Sequence, residues 1–237
     1  MANLRKGVLD KVKRFLDSKK YSYEVVVVDD GSKDGSIEFV KKFAKENSEF
    51  HLIENKHTGK AGAVTTGMLA AKGEYVLFTD MDQATPIEEV NNLLPFLTDK
   101  KYDVAIGSRS TGGLGYPFSR LIQHEANIVL RKIIVGMPEV FDTQCGFKVF
   151  TQEASQKIFS KLHSIHNGFK EISSSAVHSG FDVELLVIAK YMGFKIKEVP
   201  VQWLYVESRR VSPMKDSVDG LLSLFKIRVK KIQGVYQ

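Results

Sequence analysis

Two apolar runs in this chain end directly in carboxylates, and this pattern constrains the fold more than any other feature. The run VVVV leads into Asp29 and Asp30, and the run YVLFT leads into Asp80 and Asp82. Continuous apolar runs of this length predict strands covered on both faces, as in a parallel α/β sheet. Because ligands bind outside the carboxyl ends of such strands, the carboxylates are predicted to converge on one nucleotide and one divalent cation.

Strand and helix patterns alternate along the first half of the chain and continue less regularly in the second. Strands are predicted at 23–28, 50–53, 74–79, 102–106, 147–150 and within 195–205. Helices are predicted at 4–17, 36–45, 60–71, 87–98, 120–135, 152–162, 181–192 and 218–232. The alternation predicts right-handed crossovers and a mostly parallel, Rossmann-like sheet flanked by helices. At 237 residues, the chain suits one large α/β domain over 1–237 better than two small ones.

The composition fits a cytoplasmic protein with a sizeable core. Hydrophobic residues make up 43% of the chain, and the single cysteine, Cys145, excludes an internal disulfide framework. The N-terminus lacks the apolar segment of a signal peptide, and no stretch approaches the roughly 18–20 uninterrupted apolar residues of a membrane span. A net charge of +6 favours anionic partners such as phosphates, acidic lipid headgroups or nucleic acid. Nucleic acid is disfavoured, because no basic stripe with interleaved aromatic residues is present.

The pair Asp80 and Asp82 is the candidate metal site. Residues i and i+2 of a strand face the same side, and two carboxylates there repel each other unless a cation lies between them. Mg²⁺ or Mn²⁺ takes one or two protein carboxylates together with substrate phosphates. Acidic pairs also occur in ordinary surface turns. The position of this pair, between a buried run and a helix that begins after Pro86, favours the metal site.

Three further side chains are candidates for contacts to a nucleotide and its phosphates. Asp30, followed by the turn at Gly31, either accepts a hydrogen bond from a base or ribose or belongs to an ordinary strand-to-helix turn. Lys60 precedes a helix and either reaches a diphosphate at the helix N-terminus or is a solvated lysine. Arg109 ends a predicted strand and is suited to bidentate binding of a phosphate.

Two acidic residues lie close together in the predicted helix at 181–192. Asp182 and Glu184 are two positions apart, so they do not face the same way on a helix. One of them can therefore point into a site while the other caps the helix or forms an ion pair.

Two predicted helices are both basic and amphipathic, at 120–135 and at 218–237 including the last residues of the chain. Such helices lie at anionic bilayer surfaces. The same pattern also fits packing against the core with a solvated charged face, and the sequence leaves both interpretations open.

Taken together, these segments resemble the family 2 glycosyltransferases of GT-A fold. The resemblance is closest to the dolichyl-phosphate glucosyltransferases and the bacterial polyprenyl-phosphate glycosyltransferases. It rests on VVVVDDGSKDGS (25–36), GKAGAVTTGMLAAKGEYVLFTDMDQATP (59–86), AIGSRS (105–110), DTQCGFKVF (142–150) and FDVELLVIAKYMGFKIKEVPVQW (181–203). The order and spacing of these motifs cover most of the chain, and DTQCGFK with FDVELL is the part specific to the polyprenyl-phosphate branch.

The resemblance implies a role for each matching residue. Asp30 and Gly31 would contact the base of the donor nucleotide, with Lys60 near its phosphates. Asp80 and Asp82 would bind the metal and the diphosphate, with Gln83 in the metal shell. Arg109 would hold a phosphate and Asp182 would lie near the sugar, so that Asp82, Arg109 and Asp182 form the catalytic group. Gln144, Lys148 and Glu184 would line the acceptor side.

The reaction implied by the resemblance is transfer of a hexose, with glucose from UDP-glucose as the first choice, to a polyprenyl phosphate with inversion. It implies a Mg²⁺ or Mn²⁺ cofactor and a peripheral location at the cytoplasmic face of a membrane. The alternatives are transfer of mannose or another sugar, a different acceptor, or a catalytically impaired protein that only binds nucleotide sugars.

One departure from the family pattern leads to a separate expectation. Family members begin with a buried strand that runs into a Pro-x-Tyr-Asn-Glu motif, and neither is present in these 237 residues. Loss of an interior strand deprives its neighbours of hydrogen bonds and leaves apolar faces uncovered. We therefore expect this 237-residue form to bind donor weakly and to be of low stability, and restoration of upstream residues to raise both.

Overall fold

The structure is a computed structural model that describes residues 1–109, 136–137, 140–171, 180–204 and 213–237. Side chains of the last stretch are described from Gly220 onward. The predicted basic helix at 120–135 lies outside the described residues.

The described elements follow the predicted alternation closely. The strands are β1 (Val25–Asp29), β2 (Phe50–Glu54), β3 (Tyr75–Thr79), β4 (Val104–Arg109), β5 (Phe147–Thr151) and β6 (Ile196–Val201). The helices are α1 (Ala2–Arg5), α2 (Val8–Asp17), α3 (Ser36–Glu46), α4 (Gly59–Ala70), α5 (Val90–Thr98), α6 (Gln152–Ile165), α7 (Phe181–Tyr191) and α8 (Pro213–Ile232), with a 3₁₀ turn at Ile87–Glu89 before α5.

The helix predicted at 4–17 is two helices. Gly7 separates α1 from α2 and adopts a left-handed conformation with φ of 72°. Glycine takes this conformation without the steric cost that a side chain would bring, so it ends one helix and begins the next. The amphipathic period continues across this break, which is why the sequence pattern did not reveal it.

The strands form two sheets within the described residues. β1 and β2 pair in parallel, and a second sheet has the order β3-β5-β4-β6. β4 and β6 are parallel, whereas β5 runs antiparallel to both of its neighbours, β3 and β4. The expected mostly parallel α/β architecture is therefore confirmed, with one reversed strand that the alternation of elements could not predict. No ladder joins β1 to β3 in the described part of the chain.

The four-stranded sheet is covered on both faces, as its continuous apolar runs predicted. Val76 and Phe78 of β3 face a core that includes α4, α6, α7 and α8, while Tyr75 and Leu77 face a second core built on α5. A third core joins α1, α2 and α3 to β1 and β2. Within the described residues, no helix combines the length and apolar character needed to cross a bilayer.

Candidate active site

The ends of β1 and β3 meet at the beginning of α4. The Asp30 carboxylate, directly after β1, accepts a hydrogen bond of 2.7 Å from the backbone N–H of Gly59. One residue further, the Lys60 ammonium forms an ion pair of 2.7 Å with Asp80, directly after β3. The two acidic motifs that are 50 residues apart in the sequence are thus joined through two consecutive residues of one helix.

The Asp30 carboxylate is occupied by the loop that leads into α4. It accepts hydrogen bonds from the N–H of Thr58 at 2.9 Å and from the side chain of Asn55 at 3.2 Å. His57 Nδ1 lies 3.0 Å from the same carboxylate, and the His57 side chain packs over Gly31, which has a φ of 90°. In this structure Asp30 therefore orders the helix N-terminus, and the nucleotide contact expected of it stays a prediction.

Asp80 lies between a lysine and a glycine. Lys60 Nζ is 2.7 Å from Oδ1 and 3.0 Å from Oδ2 of Asp80. A Cβ atom at Gly146 would lie 2.0 Å from Asp80 Oδ2, so only glycine leaves room for this carboxylate. Burial by itself would lower the pKa of Lys60, but the charges of Asp80 and then Asp182 outweigh it and hold that pKa above its ordinary value.

Asp82 and Gln83 complete the predicted acidic turn. Asp82 is exposed, and its Oδ1 accepts a hydrogen bond of 3.0 Å from the N–H of Ala84. Gln83 has a left-handed backbone with φ of 51°, and its side-chain amide donates to Thr79. The Gln83 Oε1 atom is buried without a hydrogen-bond partner in the described part of the chain. Two carboxylates and an unpartnered amide oxygen are hard donors of the kind that Mg²⁺ and Mn²⁺ prefer, so the donor types of these residues suit a divalent cation.

Lys148 and Asp182 form a second ion pair beside the first. Lys148 is the second residue of β5 and is fully buried, and its Nζ lies 2.8 Å from Asp182 Oδ1 and 2.5 Å from the Cys145 carbonyl oxygen. Asp182 is in the first turn of α7 and is close enough to Lys60 to affect its pKa. Asp80, Lys60, Asp182 and Lys148 therefore form a row of alternating charges.

Arg109 is oriented by a bidentate ion pair at the end of β4. Its Nε and Nη2 atoms lie 2.7 and 2.8 Å from the two oxygens of Asp142. Burial by itself would raise the pKa of Asp142, but its hydrogen bonds with Arg109 outweigh this and lower it. Glu198 accepts hydrogen bonds from the N–H groups of Phe141 and Asp142, which fixes the same loop to β6.

The three residues predicted on the acceptor side lie in different environments. Gln144 is exposed in the loop that follows Asp142. Lys148 is buried and presents no ammonium at the surface. Glu184 is buried on α7, where its contacts run to α8 and to the end of α6 and not to Asp182. The structure brings only Gln144 of these three to the surface, and the assignment of an acceptor side stays a prediction.

Glu184 is held by three partners. Lys230 Nζ and the Tyr236 hydroxyl lie 2.7 and 2.8 Å from Oε1, and His166 Nε2 lies 2.7 Å from Oε2. Burial alone would raise the pKa of Glu184, but the hydrogen bonds from His166 and Lys230 outweigh it and lower that pKa to about 2. Glu184 therefore attaches the C-terminal segment to the domain.

Sequence reasoning missed two residues that shape the site, Asp142 and Gly146. Both lie in the motif DTQCGFK, which was identified by resemblance and not by the contacts of its members. A carboxylate three residues before a buried cysteine, and a glycine directly before a strand, are weak signals. Only the three-dimensional structure shows that one orients Arg109 and the other makes space for Asp80.

The fold is shared with solved glycosyltransferase structures. Mannosyl-3-phosphoglycerate synthase from Rubrobacter xylanophilus superposes with a TM-score of 0.65 over 98% of this chain and 71% of that chain, at 15% identity. Glucosyl-3-phosphoglycerate synthase from Mycobacterium tuberculosis, in complex with Mn²⁺ and UDP-glucose, superposes with a TM-score of 0.58 over 86% of this chain and 67% of that chain, at 17% identity. The predicted GT-A fold class is thus confirmed, and the molecule is a glycosyltransferase in architecture.

The sequence comparisons define the family. The profile of glycosyl transferase family 2 matches residues 3–159. The dolichyl-phosphate beta-glucosyltransferase of Dictyostelium discoideum is 31% identical over 98% of this chain and 72% of its own length. The enzymes of the same name from Saccharomyces cerevisiae and Homo sapiens are 32% and 30% identical, over 94% and 97% of this chain and 70% and 72% of their own lengths. The chain belongs to glycosyl transferase family 2, as its motifs indicated.

Proposed function

We propose that this chain transfers glucose from UDP-glucose to a polyprenyl phosphate, such as dolichyl or undecaprenyl phosphate, with inversion at the anomeric carbon. The observation that carries the proposal is the row of alternating charges formed by Asp80, Lys60, Asp182 and Lys148. Fixed cations and carboxylates suit a donor that has both a diphosphate and a sugar rich in hydroxyl groups. The names of the relatives supply the choice of glucose and of a dolichyl-type acceptor.

Lys60 and Asp182 are the donor-binding residues in this proposal. Lys60 lies in the first turn of α4, where the helix dipole favours anions such as a diphosphate. The Asp182 carboxylate accepts hydrogen bonds only, so it is suited to the hydroxyl groups of the sugar. Its ion pair with Lys148 restricts its orientation before the donor arrives.

Asp80, Asp82 and Gln83 are the residues that would hold Mg²⁺ or Mn²⁺. Their oxygen atoms suit a hard cation, and the space left by Gly146 keeps the Asp80 carboxylate at this end of β3. When bound, such a cation neutralises negative charge on the departing diphosphate. The unpartnered Oε1 atom of Gln83 supports this assignment.

The proposed reaction is an in-line displacement at the anomeric carbon. An oxygen of the acceptor phosphate forms a bond to this carbon, the bond to the diphosphate oxygen breaks, and UDP leaves with the electron pair. The acceptor phosphate is ionised near neutral pH, so no residue has to remove a proton from it. Rate enhancement then rests on positioning, with Arg109, oriented by Asp142, assigned to a phosphate and Gln144 assigned to the acceptor side.

We also propose that the enzyme works as a peripheral protein at the cytoplasmic face of a membrane. The polyprenyl chain of the acceptor is confined to the bilayer, so the enzyme has to reach the phosphate at the membrane surface. The net charge of +6 suits an anionic surface.

The experiment that tests this function is a transfer assay with radiolabelled UDP-glucose, detergent-dispersed polyprenyl phosphate and Mn²⁺. We expect a labelled glycolipid from the parent chain. The rate of its formation should fall at least about 100-fold in Asp82→Asn and stay unchanged in Asp10→Asn, at an exposed acidic residue of α2. A parallel assay uses radiolabelled GDP-mannose, and transfer of label from this donor and not from UDP-glucose would contradict the choice of donor. Intact UDP-glucose binding without glycolipid from any donor would favour a binding protein without turnover.

A further inference from the structure

From Gly220 onward, helix α8 has two apolar faces, and one of them packs against the described part of the domain. Leu224 and Ile227 are buried in the core next to α7. A second set of large apolar side chains on the same helix is exposed to solvent. Its members are Leu221, Leu222, Phe225, Val229 and Ile232. We call these five residues the outer stripe.

The outer stripe is continuous along the helix. With 3.6 residues per turn, residues four or seven positions apart lie on one face, as do Leu221, Phe225 and Ile232. Leu222 and Val229 flank them on one side. Phe225 is 53% exposed and Ile232 is 74% exposed, so the stripe stands clear of the domain. Exposed apolar side chains gathered on one face indicate an interaction surface, whereas single ones do not.

The contacts of Glu184 with His166, Lys230 and Tyr236, which we call the Glu184 clamp, fix the outer stripe relative to the candidate active site. Glu184 binds Lys230 of α8 and Tyr236 beyond it. Two residues earlier on the same helix α7, Asp182 contacts Lys148 in the row of charges. The surface and the site are therefore attached to one helix.

The charges from Gly220 to the end of the chain are of one sign, whereas Asp216 and Asp219 precede this stretch in the sequence of α8. From Gly220 to Gln237 the sequence has four cationic side chains and no acidic one. Lys230 binds Glu184, and Lys231 lies over the ring of Tyr191. Lys226 and Arg228 are exposed on either side of the stripe. An apolar band with a basic rim is complementary to acyl chains beneath anionic headgroups.

We propose that the outer stripe of α8 inserts into the headgroup region of an anionic lipid bilayer. This inference rests on the proposed function in one respect, since a polyprenyl phosphate is reached only at a membrane. It adds to the proposed function the surface that contacts the bilayer and the orientation of the domain on the bilayer. With α8 lying flat on the bilayer, α7 holds the row of charges at a fixed height above the acceptor phosphates.

A second copy of the chain is the less suitable occupant of this surface. A symmetric dimer through the stripe would bring Lys226 and Arg228 of one copy against the same cations of the other. Five partly exposed side chains are also a small area beside the roughly 800 Å² per partner that a stable interface buries. Neither the repulsion between like charges nor the small area argues against binding to an anionic bilayer.

Vesicle binding without donor, acceptor or metal tests the inference, so its failure is distinguishable from failure of the glycosyltransferase activity. The full chain is floated with vesicles of phosphatidylcholine, with and without phosphatidylglycerol. We expect Phe225→Glu to weaken binding at least about tenfold. The matched control is Tyr21→Glu, which places the same charge at an exposed aromatic residue between α2 and β1 and leaves binding unchanged.

The basic rim is tested by the double variant Lys226→Gln with Arg228→Gln. We expect roughly 25-fold weaker binding to the vesicles with phosphatidylglycerol, from about fivefold for each charge, and no change on phosphatidylcholine alone. Equal binding of the parent and this variant to anionic vesicles would contradict the assignment of the rim.

Insertion itself is measured with Phe225→Trp and brominated lipids. The parent chain contains one tryptophan, Trp203, whose quenching is the baseline. We expect Phe225→Trp to be quenched more than this baseline and Tyr21→Trp to be quenched no more than the baseline. Quenching of Phe225→Trp also tests the proposal if Phe225→Glu fails to fold. Unquenched Phe225→Trp, or a parent dimer that Phe225→Glu converts to monomer while neither binds vesicles, overturns the proposal.

Discussion

The absent side chain of Gly146 makes room for the carboxylate of Asp80. A Cβ atom at residue 146 would lie 2.0 Å from Asp80 Oδ2, which is well inside van der Waals contact. The turn before β5 thus sets the position of the carboxylate after β3, although the two residues are 66 positions apart in the sequence. The candidate metal site therefore depends on a residue that carries no functional group.

Gly146→Ala is expected to weaken metal-dependent binding of UDP-glucose by about tenfold or more, because the added methyl group displaces the Asp80 carboxylate and disturbs its pair with Lys60. Since a half-exposed side chain can move, we expect little change in the melting temperature. Calorimetric titration and thermal unfolding measure both effects. Gly220→Ala is the matched control, because a Cβ atom there meets nothing within 4 Å. Parent-like affinity in Gly146→Ala would show that the position of Asp80 is not critical.

Lys148→Met is expected to lower the free energy of unfolding by about 3 kcal/mol. Removal of the buried ammonium leaves the Asp182 carboxylate, which is 15% exposed, without its partner. The double variant Lys148→Met with Asp182→Asn removes both charges, and we expect it to recover about 1 kcal/mol or more. Urea unfolding of the parent, both single variants and the double variant gives the coupling energy. Costs of the two single variants that add up to the cost of the double variant would mean that this ion pair does not stabilise the fold.

The Glu184 clamp predicts acid sensitivity. The pKa of Glu184 is lowered from 4.5 to about 2 in the folded chain, so its contribution to stability is complete above pH 4.5 and is lost as the pH falls towards 2. The largest contribution consistent with this shift is about 3 kcal/mol. Glu184→Gln is expected to lower stability at neutral pH and to flatten the fall between pH 4.5 and 2. Urea unfolding across this range measures the effect.

The control for this prediction is Glu153→Gln, at an exposed residue of α6 paired with Lys157. Its pH profile should follow that of the parent. A Glu184→Gln profile that also follows the parent would show that His166, Lys230 and Tyr236 do not depend on the charge of Glu184.

The sequence predicted the strands and their ends because those features are local. Residues 25–28 and 75–78 are apolar without interruption, and the carboxylate within two residues of the end of each run marks the edge of the sheet where ligands bind. The helix at 181–192 was also interpreted correctly in one respect: Asp182 and Glu184 do face different partners, as positions i and i+2 of a helix must.

Other features depend on distant contacts and were not predictable in this way. The direction of β5 is set by its two neighbours, β3 and β4, and not by its own apolar pattern. Lys148 was placed on the acceptor side by the family resemblance, and its burial could not be foreseen because its partner Asp182 is 34 positions away. For α8, the sequence left open whether the apolar residues pack against the core or lie at a membrane, and only packing shows that Leu224 and Ile227 are buried.

The most direct test of this account is calorimetric titration of the parent chain and of Asp82→Ala with UDP-glucose and with GDP-mannose, each with and without Mn²⁺. The account predicts that UDP-glucose binds the parent only with Mn²⁺, that GDP-mannose binds more weakly, and that Asp82→Ala binds neither. UDP-glucose binding that is the same without Mn²⁺, or the same in Asp82→Ala, would contradict the assignment of Asp80 and Asp82 as the metal and diphosphate site.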